Sequence, residues 1–193
     1  MPEKSRGKAE YRSAVRSRRM IKKAFLELMH EKDPKKITVT DIVNRCGLNR
    51  GTFYAHYANV GAVLEQIENE LIAAIEETLS PPNDEHERTL AFFLKRITGL
   101  LKSDVEFYRL VVTCDGGGFA EKFCDLVLEK QRRGELLSGA NLNGRTGDAA
   151  ARFIVGGFVS LYIDWFKGKT DCTLDELCEI VEELLSPALE RFK

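Results

Sequence analysis

The 193-residue chain has few of the residues that mark several protein classes. Its five cysteines (Cys46, Cys114, Cys124, Cys172 and Cys178) are odd in number and show no CxxC spacing, which argues against a disulfide framework or zinc cluster and for reduced cytosolic thiols. Three scattered histidines point the same way, and no metal or other cofactor is expected. The longest apolar run, Phe153 to Ile163, falls well short of the roughly 20 residues that span a bilayer, so no membrane association is expected. The charged N-terminus has no apolar stretch of the signal-peptide kind. There is no Gly-rich phosphate loop, metal-ligand set or GxSxG motif, and an enzyme is not expected. What remains is a soluble, cytoplasmic protein whose 44% hydrophobic content is enough to bury a core.

Net charge is nearly absent too, at −1, but it is unevenly spread. Through Tyr57 there are 14 Lys+Arg against 6 Asp+Glu, or +8, and the rest of the chain holds 15 against 24, or −9. Such a split suggests a first segment that meets a polyanion and a second with another task.

Strand-like alternation and internal repeats are missing, while helical periodicity is everywhere. Residues 1–14 read as a basic flexible arm, and Met20, Ile21, Ala24, Phe25, Leu28 and Met29 as the apolar stripe of a first helix. Thr38 with Asp41 forms a capping box that opens a short second helix, which Gly47 closes as a left-handed residue. Asn49 is the N-cap of a third, from Arg50 to about Tyr57. Two short helices joined by Gly47-Leu48-Asn49 within the basic segment make a helix-turn-helix over residues 38–57. Arg50 and Thr52, at the start of its second helix, are the expected base readers, since Arg pairs bidentately with guanine and Thr offers a hydroxyl and a methyl. Gly51 would let backbone approach closely, and the exposed amides there favour a phosphate.

Downstream, Ser103 with Glu106 reads as a capping box, and residues 134–147 as a mobile glycine-rich loop. Phe153 to Lys167 reads as a helix buried on all sides, and Pro187 as a kink or stop near Leu185 in the last helix.

The runs Thr38-Val39-Thr40-Asp41-Ile42-Val43 and Cys46-Gly47-Leu48-Asn49-Arg50-Gly51-Thr52-Phe53-Tyr54-Ala55-His56-Tyr57 resemble the DNA-binding signature of the TetR-type transcriptional regulators. The resemblance extends without gaps from the first helix into the fourth. It implies an all-α chain: a three-helix DNA-binding head over residues 15–75, then a ligand-binding and dimerisation body of about six helices over 76–193. In residue terms it implies that Thr38 contacts phosphate, that Thr40 lies near bases, that Arg50, Thr52, Ala55 and His56 face the groove, and that Tyr54 touches the backbone. One departure is Val60, where the family usually has a phosphate-gripping lysine; the Arg-rich N-terminal segment, with Arg16, Arg18 and Arg19, would then supply part of the affinity. Phe153-Ile154-Val155-Gly156-Gly157-Phe158, with Trp165 and Gly168, resembles the C-terminal domain of a subgroup typical of Gram-positive bacteria that includes regulators of dihydroxyacetone kinase operons.

The function implied is a bacterial, ligand-responsive repressor that binds double-stranded DNA at a palindromic operator as a homodimer. The alternative is a nucleoid or cell-division factor whose body docks a protein partner. Aromatic and apolar residues that would line a small-molecule effector pocket are Phe93, Phe107, Tyr108, Val111, Phe119, Phe123, Phe158, Tyr162 and Trp165. Candidates for the dimer interface are Phe153, Gly156, Gly157, Leu177, Val181 and Leu184.

Overall fold

The computed structural model describes residues 3–114, 118–142 and 144–192, with side chains from Arg12 onward. These described residues contain helices and turns and no strand. They fall into two compact units, one reaching to Glu68 and the other starting at Asn69.

The first unit holds α1 (Glu3–Met29), a 3₁₀ turn at Pro34–Lys36, α2 (Val39–Cys46), α3 (Arg50–Tyr54) and the start of α4 (Val60–Thr78). Its core takes one or two side chains from each helix: Ile21 and Phe25 of α1, Ile42 of α2, Phe53 of α3 and Val63 of α4 are all 0% exposed. Each such burial stabilises by about 1.5–3 kcal/mol, so helices too short to persist alone are held by tertiary packing. Across the surface, the Arg45 guanidinium grips both Glu31 oxygens at 2.8 and 2.7 Å and ties α2 to α1. That contact holds the Glu31 carboxyl below its usual range.

α1 begins at Glu3, inside the segment expected to be a flexible arm. From Ala9 to Arg19 the chain has no glycine or proline and is rich in Arg and Ala, both good helix formers, so the helix nucleated by the packed second half extends backwards.

The second unit contains the rest of α4, then α5 (Leu90–Ser103), α6 (Val105–Val112), α7 (Phe119–Arg132), α8 (Gly144–Phe166) and α9 (Leu174–Glu190). α5 packs on α9, and α8 packs on both α7 and α9. Four local expectations are corrected. The cap of α6 is Asp104, which accepts from the Phe107 amide at 3.1 Å, whereas the Ser103 hydroxyl bonds back to Leu100 and Glu106 pairs with Arg109. Residues 134–142 are tied down: the Ser138 amide donates to Arg88 and the Asn141 amide to Phe192, and Leu136 and Leu142 are buried. α8 therefore starts at Gly144, well before Phe153. α9 passes through Pro187 to Glu190, because the carbonyl four residues earlier, on Glu183, is in an exposed turn open to water while buried Leu189 anchors the far end.

α8 is also not buried on all sides. Gly147, Ala151, Val155, Val159, Tyr162 and Phe166 face the body, but Phe153 is 83% exposed and Gly156, Gly157 and Ser160 share its outer face. By length and composition α8 could cross a membrane, unlike the shorter apolar run within it. Its inward residues serve here as core.

Candidate DNA-binding interface

Two helix starts and one left-handed residue set the geometry of the site. Thr38 and Asp41 cap α2 reciprocally: the Asp41 amide donates to Thr38 Oγ1 at 3.2 Å and the Thr38 amide to Asp41 Oδ2 at 2.8 Å. Lys32 Nζ lies 2.6 Å from the same Asp41 oxygen, and this hydrogen bond, with those from Thr38, holds the Asp41 carboxyl far below the usual carboxylate range. Gly47 ends α2 at φ +67°, a conformation that costs any other residue type, and turns the chain towards α3. Asn49 then caps α3 by accepting from the Thr52 amide at 2.7 Å and the Thr52 hydroxyl at 3.1 Å.

The expected DNA-contacting residues differ in their exposure. Arg50, Tyr54 and Ala55 are exposed, as are Thr38 and Thr40, while Thr52 and His56 are half-buried. Arg50 Nη2 donates to Thr40 Oγ1 at 2.7 Å, which joins the first turn of α3 to the first turn of α2. Since the Thr52 hydroxyl proton goes to Asn49, Thr52 presents its methyl group and an acceptor oxygen. Phe53 is fully buried, as a core residue should be. α3 is shorter than its sequence reading. It stops at Tyr54, and Ala55 and His56 lie in the turn that follows, with the His56 and Tyr57 amides both bonded to the Phe53 carbonyl. Gly51 has a local reason besides close approach: a Cβ there would come 3.2 Å from Asn49 Oδ1 and press on the cap. The same arrangement recurs at Asn59-Val60-Gly61, where Asn59 Oδ1 accepts from the Ala62 amide at 2.9 Å. Only the position of Val60 drew attention in the sequence.

Arg12, Arg16, Arg19 and Lys23 are exposed and spaced by fours and threes, so they form a single stripe on α1. At about 100° per residue that stripe lies opposite Ile21, Phe25 and Leu28, the face that α1 buries. Arg18 is exposed but off the stripe.

Residues 21–67, which run from the buried face of α1 through α2 and α3 into α4, match the family model for bacterial regulatory proteins of the tetR family. The head is similar to that family's DNA-binding domain. The chain is 35% identical over 106 residues to an uncharacterized HTH-type transcriptional regulator, YxbF of Bacillus subtilis (strain 168), a match covering 51% of this chain and 28% of that one. The chain thus spans under a third of that relative. Among solved structures it resembles a TetR transcriptional regulator from Streptococcus agalactiae 2603V, with TM-score 0.69 and 18% identity over 92% of this chain and 98% of the other. It also resembles the dihydroxyacetone kinase operon activator DhaS, with TM-score 0.62 and 19% identity over 93% and 99%. A third likeness is the repressor AlkX of Dietzia sp., implicated in n-alkane biodegradation, with TM-score 0.55 and 18% identity over 91% and 97%. At these identities the likeness shows a shared fold, one that includes the helical body.

In the body, a pocket of about 100 Å³ lies among α5, α7, α8, α9 and the 134–142 segment. Phe93, Phe123 and Phe158 line it. Phe119 and Tyr162 instead line a smaller space of about 40 Å³, which shares Phe123 and Phe158. These two rings stack at 5.8 Å and form the wall between the spaces. Burial pushes the Tyr162 hydroxyl up to about 12 despite its contact with Thr98. Phe107, Tyr108, Val111 and Trp165 line neither space. Tyr108 and Val111 are ordinary core, and the Trp165 indole donates to the Cys172 carbonyl at 2.8 Å, closing the turn before α9. Unforeseen lining residues include Gln131, Leu136, Leu137 and Leu142, and the only hint of them was three leucines in a glycine-rich segment.

The proposed interface residues divide in the same manner. Phe153, Gly156, Gly157 and Leu184 are exposed, whereas Leu177 and Val181 are 2% and 0% exposed and belong to the protomer core. The outward apolar stripe of α9 runs instead through Ile180, Leu184 and Pro187, about 70° around the helix.

Proposed function

We propose that this protein is a cytoplasmic transcriptional regulator that binds a palindromic operator as a homodimer and represses until a small effector enters its body. The observation that carries this reading is the exposed Arg50, held by Thr40 at the start of α3, within a segment of charge +8. Arg50 reads guanine, Thr52 offers its methyl group to thymine, and Thr38, Tyr54 and the arginines of α1 hold phosphates. Ala55 and His56, in the turn after α3, lie at the edge of this contact. The face of α8 and α9 that carries Phe153, Gly156, Gly157, Ile180 and Leu184 joins two copies, because exposed large apolar side chains on adjoining helices mark an association surface. Two heads on one axis then meet half-sites about one helical turn apart.

A mobility-shift titration on the protein's own promoter region tests DNA binding. Arg50→Ala is expected to lose the specific complex while keeping weak non-specific binding, and equal binding of every sequence by parent and variant would refute base readout. Phe153→Glu is expected to give monomers in sedimentation and to abolish the operator complex. A reporter fused to the promoter reads the sign: deletion of the regulator raises expression if it represses and lowers it if it activates, as the name of DhaS states for that relative. The apolar pocket counts against the rival reading of a cavity-free docking factor.

A further inference from the structure

We propose that the pocket of the body takes a small, uncharged, apolar molecule with no hydrogen-bonding group, which rests on the reading of the body as an effector-binding unit. None of the described residues lining the pocket of about 100 Å³ is exposed, and Gln131 is the one polar side chain among these. Both ends of the Gln131 amide are already engaged: Oε1 accepts from the Leu137 amide at 3.1 Å and Nε2 donates to the Ala140 carbonyl at 3.4 Å. Its polar atoms therefore serve the 134–142 segment, which lines one side of the pocket with Leu136, Leu137 and Leu142. The remaining wall consists of aliphatic and phenyl groups, among them Phe93, Phe158 and Ala151.

A carboxylate, amine or hydroxyl placed there would leave water and find no partner, so each would bind more weakly than the hydrocarbon that carries it. Size points to the same class. An engineered cavity of about 150 Å³ lined by leucine, isoleucine and phenylalanine stays dry and binds benzene or xenon. A slightly smaller space with the same walls suits a short hydrocarbon or a single unsubstituted ring. Longer apolar chains reach the adjoining space of about 40 Å³ only by turning the Phe123–Phe158 pair.

Thermal unfolding of the full chain with benzene or with benzoate tests this. Benzene at ten times its dissociation constant is expected to raise the Tm by about 3–5 °C, and benzoate to leave it unchanged. Ala151→Leu fills the pocket and is expected to remove the benzene shift while keeping the parent's circular dichroism. Should that variant fail to fold, xenon-pressurised crystals of the parent replace it, with density expected between Phe93 and Phe158. A benzoate shift as large as the benzene shift, a benzene shift that survives a folded Ala151→Leu, or an empty pocket under xenon would overturn the proposal. A mobility shift separates it from the regulatory reading. Benzene that fills the pocket without altering operator affinity supports the ligand class and removes the regulatory role, whereas release of DNA by benzoate alone overturns the ligand class and keeps that role.

Discussion

Arg50 of α3 donates a hydrogen bond of 2.7 Å to the hydroxyl of Thr40 in α2. The residue best suited to read a base is thus oriented by a side chain ten positions earlier. Arg50→Ala is expected to weaken binding by about 1–3 kcal/mol at a site containing its guanine and much less at a substituted site. Thr40→Val removes the hydroxyl but keeps the shape, and is expected to lose discrimination at the same base pair with little change in non-specific affinity. Competition mobility shifts with single-base operator variants measure both. If Thr40→Val lowered affinity equally for all sequences, Thr40 would be a phosphate contact instead.

The stripe on α1 makes a prediction about salt. Counterion release gives a slope of about −0.9 in log K against log salt for each phosphate neutralised. Replacing Arg12, Arg16 and Arg19 together by alanine is expected to make the slope shallower by up to about 2.7 per head. Arg18→Ala, off the stripe, is expected to change it less. Titrations at several salt concentrations measure the slopes directly.

Two glycines of α8 should respond in opposite ways to alanine. A Cβ at Gly147 would lie 2.4 Å from the Leu142 carbonyl carbon, a clash with backbone, so Gly147→Ala is expected to destabilise by about 1–3 kcal/mol in urea unfolding. Gly156 has no atom within 4 Å of that position, and Gly156→Ala gains up to about 1 kcal/mol in helix propensity within one protomer. In sedimentation the same Gly156→Ala is expected to weaken self-association, because the added methyl stands on the face proposed to meet a second copy.

Acid should loosen the head through Asp41. Its carboxyl, held by Lys32 and Thr38, titrates below its ordinary value of 3.8 in the folded protein. A depressed carboxylate stabilises the fold in full above the unfolded value, and that contribution is lost as pH falls through the folded one. Lys32→Gln removes the largest cause of the depression. The variant is expected to show a flatter fall of Tm with pH between about 4 and 2 than the parent, as measured by circular dichroism.

Much of the head was legible in the sequence because its signals are local. Thr38 with Asp41, Gly47 and Asn49 each act within three or four residues of themselves, and the structure contains each cap at the expected position. Local rules were less decisive where two donors or two endings competed. Ser103 and Asp104 both suit a cap, and the chain takes the charged one. Pro187 cannot donate an amide, yet exposure of the Glu183 turn lets the helix continue.

By itself the sequence determined the helical class, the charge division and the helix-turn-helix, since these depend on periodicity, composition and capping within one or two turns. Only the tertiary structure decided which apolar side chains are core and which form a surface or a pocket. Leu177 and Leu184 occupy one periodic stripe in the sequence, yet one is 2% exposed and the other 60%, because the packing of α5 and α8 on α9 covers only part of that stripe. Gln131 gave no signal at all. Its role as the bracket of an apolar pocket depends on backbone groups of Leu137 and Ala140, whose positions follow from how the segment after α7 folds back.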